Sequence, residues 1–348
     1  MRRRLLAATG IVLALGGVAL SAGGAYAYFW DSSRVDVIAP GVSVAGIDVG
    51  GMRVAQARSL LRERLVSPLE RPLRLTYGTR SFVVRPNHVG LQVEVDRMLT
   101  LALDASRRGG LVRRFLRHLE GHRLRTSVPL EAALSQAALA RAVESVAAVI
   151  DRPARSANVL PTPTSLRIVP ERYGVAVRRD ALRAALAAAV LGGERQPIVI
   201  PTRTLRPRWT SATLGKRYPA FLLVDREAYQ LRFFRHLKLV RTYPIAVGRA
   251  GLETPAGLYV IDDKQVNPSW HVPRSAWAGS LAGRIIPPGP ADPIKARWMG
   301  FWNGAGIHGT DETWSIGHSA SHGCIRMLIP DVIQLYSMVP LRTPIYVG

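Results

Sequence analysis

The chain has 348 residues, 48% hydrophobic and 20% charged, a balance that excludes an extended disordered polymer and allows two or three domains with cores of their own. Its formal net charge is +23, and only four of the 47 basic residues are lysine (Lys216, Lys238, Lys264 and Lys295), so arginine dominates a field that favours anionic surroundings such as lipid headgroups or wall polymers. No zinc-finger, single-strand-binding or basic heptad pattern makes nucleic acid the partner. A lone cysteine, Cys324, excludes an internal disulfide and a multi-cysteine metal site.

Met1-Arg2-Arg3-Arg4 precedes an apolar run from Leu5 to about Trp30, interrupted only by small residues. About 20 apolar residues suffice to span a bilayer as a helix, and arginines on the short leading side keep that end in the cytoplasm. Residues 1–33 are therefore expected to be a cytoplasmic stub and single-pass transmembrane anchor. Ala25-Tyr26-Ala27 also has the small-residue pattern of a signal-peptidase site, so a cleaved signal with secretion to the wall is the alternative. In both cases the remainder lies outside the cytoplasm.

Residues 34–206 read as a mixed α+β module. Valine-rich Val42 to Val49, punctuated by Gly46, Gly50 and Gly51, predicts strand and turn. Val54 to Leu65 predicts a short helix, Leu73 to Tyr77 and Ser81 to Val84 neighbouring strands, and Met98 to Arg107 a further helix. The basic stretch from Arg113 to Arg125 reads as a solvated helix face and loop, or as a contact with an anionic polymer or membrane. Alanine-rich Leu130 to Ile150 suits a helix. Leu166 to Val169 and Val175 to Val177 read as strands, followed by a helix from a cap at Asp180 to about Leu191, closed by Gly192-Gly193. Gln196 to Pro201 returns to strand. Residues 207–219, with Pro207, Gly215 and Pro219, read as a linker. From 220 to 348 short strand signals and frequent turns predict a mostly β domain, with a late helix over Asp331 to Met338 and a final strand over Pro344 to Val347.

The chemistry gathers near the carboxyl end. Cys324 lies in Ser321-His322-Gly323-Cys324-Ile325-Arg326-Met327, and His308, in the upstream segment Ile307-His308-Gly309-Thr310, is separated from Ser321 by twelve residues. A free thiol ionises near pH 8.5, so it needs a neighbouring base to act as a nucleophile at neutral pH. His308 and His322 are the candidates, and which of them carries the working proton stays open. Gly309 and Gly323 permit close backbone approach, and N–H groups at Gly323 and Cys324 can form an oxyanion hole. His271, His308 and His322 lack carboxylates at ligand spacing, so no metal and no cofactor is expected. The density of Trp270, Trp277, Trp298, Phe301 and Trp302 is too high for a featureless polar loop and reads as packing under a long insertion.

The ordered segments from about Phe221 to Gly348 resemble the L,D-transpeptidase (YkuD) catalytic domain. They include Thr254-Pro255-Ala256-Gly257, Asn267-Pro268-Ser269-Trp270-His271, Ile286-Pro287-Pro288-Gly289-Pro290, Arg297-Trp298-Met299-Gly300-Phe301, the His308 and Cys324 motifs, and Ser315-Ile316-Gly317. Arg326 stands where many members have asparagine, a familiar variant. Gly41 to Met52 with Ala57, Phe82 to Pro86 with Val89-Gly90, and Asp151 to Ala154 resemble the peptidoglycan-binding domain shared with vancomycin-resistance W-type proteins. The resemblance implies that Cys324 is the nucleophile and His308 the base, its ring held by a backbone carbonyl such as that of Gly309. It implies that His322 and the Gly323 and Cys324 backbone shape the oxyanion region, and that Ser321 and Arg326 hold the loop and bind polar groups of the substrate. Trp270, Trp298, Met299, Phe301, Asn303 and Thr310 would contact the stem peptide, and the aromatic-rich insertion would form a lid or wall of an acyl-donor groove. The implied reaction is acyl transfer between donor and acceptor peptidoglycan stem peptides through a thioester, giving a 3→3 crosslink, with carbapenems as covalent inhibitors. Water as acceptor would make it an L,D-carboxypeptidase, a protein amine an attachment enzyme; a non-enzymatic wall-binding scaffold is the reading from another class.

Overall fold

The computed structural model describes residues 23–193 and 195–348, which divide into two compact units. The expected membrane span falls mainly on residues 1–22, outside the described residues. Residues 23–32 that follow are helical, and among the described residues no helix is long and apolar enough to cross a membrane.

The first unit comprises the chain up to Asp151 and Ala176–Arg203. Val42–Val44 pairs antiparallel with Ile47–Asp48 and parallel with Thr126–Val128. Ile38, Val42, Val44, Leu61, Met98 and Leu99 close a core beneath these strands. Gly41 (φ 84°) is required there, because a Cβ would fall 2.2 Å from the Leu124 carbonyl oxygen. The Leu73–Tyr77 and Arg80–Val84 hairpin takes Ile198–Val199 as a third, parallel strand. The helix expected from Leu130 starts later, at Gln136, because Ser135 Oγ caps it by accepting the Ala138 N–H and because Ala132–Ala133 is spent on a strand. The helix Arg179–Gly192 ends on Gly193 in the left-handed region (φ 72°), while Asp180 sits inside its first turn, paired with Arg183, rather than at the cap.

The second unit, Arg152–Val175 with Thr204–Gly348, is mostly β. A five-stranded sheet runs in the order Lys238–Pro244, Gln230–Arg235, Ala220–Asp225, Pro344–Val347, Gly257–Val260. A four-stranded sheet runs in the order Asp263–Val266, Lys295–Trp302, Ala305–Thr310, Ile325–Leu328. Below, the last three are the tryptophan, histidine and cysteine-side strands. The histidine and cysteine-side strands are parallel, with Ile307 beside Ile325 and His308 beside Arg326. The two sheets share one core, in which Leu222, Val224, Leu231 and Phe233 meet Met299, Ile307, Ile325 and Met327, and the helix Ile329–Met338 adds Val332 and Leu335. Each such buried side chain contributes about 1.5–3 kcal/mol.

Residues 207–219, expected to be a linker, are folded in this unit. Leu214 is fully buried with Ala157, Val159, Phe221 and Phe234, and the Trp209 backbone accepts from the Ala157 N–H and donates to Ser156 Oγ. The Asn158–Pro161 and Leu166–Val169 hairpin belongs to the same unit. Proline and glycine in 207–219 set the turns, but Trp209 and Leu214 are apolar and find a core.

Candidate active site

Side chains alternate between the two faces of a strand, and in the four-stranded sheet that alternation separates core from cavity. On the histidine strand Ile307 enters the core and His308 the opposite face; on the cysteine-side strand Ile325 and Met327 enter the core and Arg326 the opposite face. Trp298 does the same on the tryptophan strand. The result is a cavity of about 530 Å³ whose walls include Cys324, His308, His322, Trp298 and Arg326. Gly306 must be glycine, since a Cβ would fall 2.5 Å from the Trp298 ring, and at Gly309 a Cβ would fall 2.5 Å from the Lys295 carbonyl oxygen.

The turn before the cysteine-side strand presents the thiol. Gly323 adopts φ 114°, a conformation that strains any residue with a Cβ. Ser321 Oγ locks the turn by donating to the Cys324 carbonyl at 2.5 Å and accepting the Gly323 N–H at 3.1 Å. Of the two N–H groups expected to face an oxyanion, that of Gly323 is thus already engaged inside the turn. The Cys324 thiol, half-buried, donates to the Gly304 carbonyl at 3.8 Å.

His308 is buried, and its Nδ1 lies 2.8 Å from the Gly309 carbonyl oxygen. A carbonyl can only accept, so Nδ1 carries the proton and Nε2 keeps the lone pair. Burial drives the imidazole pKa down to about 4, with the Arg326 charge adding to the fall and the Gly309 hydrogen bond opposing it. Burial also pushes the Cys324 thiol above its ordinary value, against a hydrogen bond from the Gly306 N–H and the Arg326 charge. Both shifts favour a neutral thiol and a neutral imidazole lining the one cavity rather than a standing thiolate–imidazolium pair. Such a pair can move the proton as the sulfur attacks.

Arg326 is buried and its Nη1 contacts Glu312 Oε2 at 2.5 Å. His322 is exposed at the cavity mouth; the partial loss of water around its ring, then the charges of Arg249 and Arg326, lower its pKa, and Glu312 opposes them. Its ring stacks on Trp277 at 4.2 Å, and Trp277 stacks on Trp270 at 6.5 Å. Trp298 stacks against His308 at 6.2 Å. The aromatic-rich insertion therefore supplies part of the cavity wall, with His271 beside it. Among the described residues no group of three or more His, Cys, Asp or Glu side chains is placed to hold a metal ion.

Cys324, His308, His322, Ser321, Arg326, Trp270 and Trp298, all expected at the site, line this one cavity. Four residues expected to contact substrate are placed elsewhere. Met299 and Phe301 have the opposite strand parity to Trp298 and lie in the core, 0% and 3% exposed. Asn303 forms, with Gly304, the two-residue turn between the tryptophan and histidine strands (φ 38° and 81°), a geometry that needs positive φ at both positions. Thr310 is buried, and its hydroxyl accepts the Glu312 N–H. Gln265 and Glu312 line the cavity without having been singled out. Neither carries a local signal: Gln265 arrives from a strand 43 residues before His308, and Glu312 follows the motif as an ordinary loop carboxylate.

Two segments of the chain match known protein families. Residues 219–347 match the family described as L,D-transpeptidase catalytic domain (YkuD), and residues 81–199 match the family described as "Putative peptidoglycan binding domain". The second match begins downstream of the Gly41 to Met52 segment. The chain is 36% identical over 126 residues to "Putative L,D-transpeptidase YkuD" of Bacillus licheniformis, covering 36% of this chain and 63% of that protein. It is 33% identical over 131 residues to the protein of the same name from Bacillus subtilis, covering 37% and 66%. The chain thus spans just under two thirds of the length of these relatives. Among solved structures, an L,D-transpeptidase from Mycobacterium smegmatis aligns at 20% identity and a TM-score of 0.32, over 37% of this chain and 58% of that one. Residues 219–347 belong to the YkuD family of L,D-transpeptidase catalytic domains, and the chain joins that domain to an amino-terminal one of the peptidoglycan-binding family.

Proposed function

We propose that this chain is a cysteine-dependent peptidoglycan L,D-transpeptidase that forms 3→3 crosslinks outside the cytoplasmic membrane, held there by the apolar run from Leu5. The observation that carries the reading is the placing of Cys324 and His308 on one cavity wall, with His308 Nδ1 tied to the Gly309 carbonyl. Cys324 Sγ attacks the carbonyl of the third stem residue while its proton passes to His308 Nε2. The developing oxyanion takes the Cys324 N–H, since the Gly323 N–H is held by Ser321. His308 then gives the proton to the departing amine of the terminal D-alanine, and a thioester remains. The amine of an acceptor stem attacks that thioester, loses its proton to His308, and the proton returns to the sulfur as the new amide forms. One amide replaces another, so no external energy source is needed.

The positive charge of Arg326, which favours the thiolate form of Cys324, also stabilises charge that develops on sulfur. The amino-terminal unit contributes wall binding, spacing from the membrane, or both. A β-lactam carbonyl offers the thiol the same acyl chemistry, so carbapenems are expected to acylate Cys324. The full chain and its Cys324→Ala form, incubated with purified disaccharide tetrapeptide, decide the matter by mass spectrometry of the products. A dimer that has lost one D-alanine, absent with the variant, is expected. Tripeptide without dimer would instead assign a carboxypeptidase, and no product from folded protein would overturn stem-peptide crosslinking in favour of another acceptor or a binding role.

A further inference from the structure

The amino-terminal unit holds a second cavity, of about 270 Å³, between helix 23–32 with the loop that follows it and the helix Leu111–Leu119. Arg34, Arg107, Arg114, Arg117 and Arg123 line it, against a single lining carboxylate, Asp31. That carboxylate is spent: Arg114 reaches it twice, at 2.8 and 2.6 Å, and Arg107 lies at 3.7 Å. Among the described residues no carboxylate lies within ion-pair distance of Arg34, Arg117 or Arg123. Arg117 is half-buried with one bond, to the Ser106 carbonyl at 2.9 Å. Its guanidinium is held below its ordinary value by burial and by Arg113 and Arg114. Like charges gathered in a partly dry cavity call for a multivalent anion, and guanidinium forks match phosphate oxygens.

The position of the cavity points to the source of that anion. On the anchoring reading, the roughly 20 apolar residues that a bilayer needs, counted from Leu5 in the sequence, would be used up near residue 24. Tyr26, Tyr28 and Phe29, 65%, 62% and 69% exposed, then stand where aromatic side chains favour the membrane–water interface. At about 1.5 Å per helical residue, anchoring of that kind would put Asp31 roughly 10 Å beyond the end of the span, at headgroup depth. We propose that this arginine cavity binds the phosphate headgroup of an anionic lipid in the membrane that anchors the chain, an inference that rests on the anchoring reading above.

The test uses the full chain in mild detergent with equal phosphatidylglycerol and phosphatidylcholine, and native mass spectrometry of the lipid retained. The chain is expected to retain phosphatidylglycerol at least about tenfold over phosphatidylcholine. Arg34→Gln/Arg117→Gln should lose that preference, and the exposed Arg123→Gln should weaken it without a change in melting temperature. Equal retention of both lipids, or an unchanged preference in folded variants, would overturn the site. Stabilisation by inorganic phosphate without any lipid preference would assign the shared phosphate chemistry to a soluble anion and overturn the lipid. Vesicle flotation after alkaline carbonate reads anchoring separately. An anchored chain without preference defeats the cavity proposal alone, whereas an unanchored chain that still prefers phosphatidylglycerol defeats the anchoring reading alone.

Discussion

The two faces of the four-stranded sheet are made by the same strands and serve opposite ends. One face places Met299, Ile307, Ile325 and Met327 in a core in which each is fully buried. The other, one residue out of phase, places Trp298, His308 and Arg326 around a cavity open to a ligand. Stability and chemistry are thus separated by strand parity, and a one-residue shift would exchange them.

Substitutions should divide along the same line. Cys324→Ala is expected to abolish acyl transfer, a loss on the order of 1,000-fold or more, with an unchanged melting temperature; product mass spectrometry beside a thermal melt reads both. A large loss of stability would mean that the cavity face also carries the fold. Ile307→Ala, one position from His308 on the other face, should do the reverse. It should cost about 2–5 kcal/mol in denaturant unfolding while the folded fraction still acylates with a carbapenem.

His308 links the two faces through pH. Its folded pKa of about 4 lies below the ordinary 6.5, so between these values the unfolded chain binds the extra proton. Stability is complete above pH 6.5 and lost as pH falls toward 4, by up to about 3 kcal/mol. His308→Gln should remove that component from denaturant midpoints measured at pH 7 and pH 4.5; a wild-type profile without it would contradict the burial argument. The same depression keeps the base form available, so the acid limb of carbapenem acylation in wild type should lie near pH 4 rather than near 6.5. Ser321→Ala should show the smallest effect, about 1 kcal/mol of stability and roughly a tenfold slower acylation, because it frees the Gly323 turn without removing a reacting group. An unchanged acylation rate would mean that the turn holds its shape without the hydroxyl.

Much of this was legible in the chain. The ordered His308 and Cys324 motifs carry the chemistry because a nucleophile, a base and the glycines that let them approach are local requirements, written as residue types at fixed spacing. The mostly β character of 220–348 and the helices of the first unit follow in the same way from strand, turn and capping signals. Met299, Phe301 and Thr310 show where local reading stops. They flank motif residues in sequence, yet their placement depends on parity and on which partner strand covers each face. Glu312 acquires meaning only because the parallel register brings Arg326 next to His308. Leu214 and Trp209 looked like linker residues until the hairpin from 152–175 supplied their core. The sequence by itself determined which groups can react, since reactivity belongs to the side chain. Only the tertiary structure decided which of them share a cavity, how far burial shifts their protons and which Gly323 turn donor is already spent, since these depend on what the rest of the chain brings within a few ångströms.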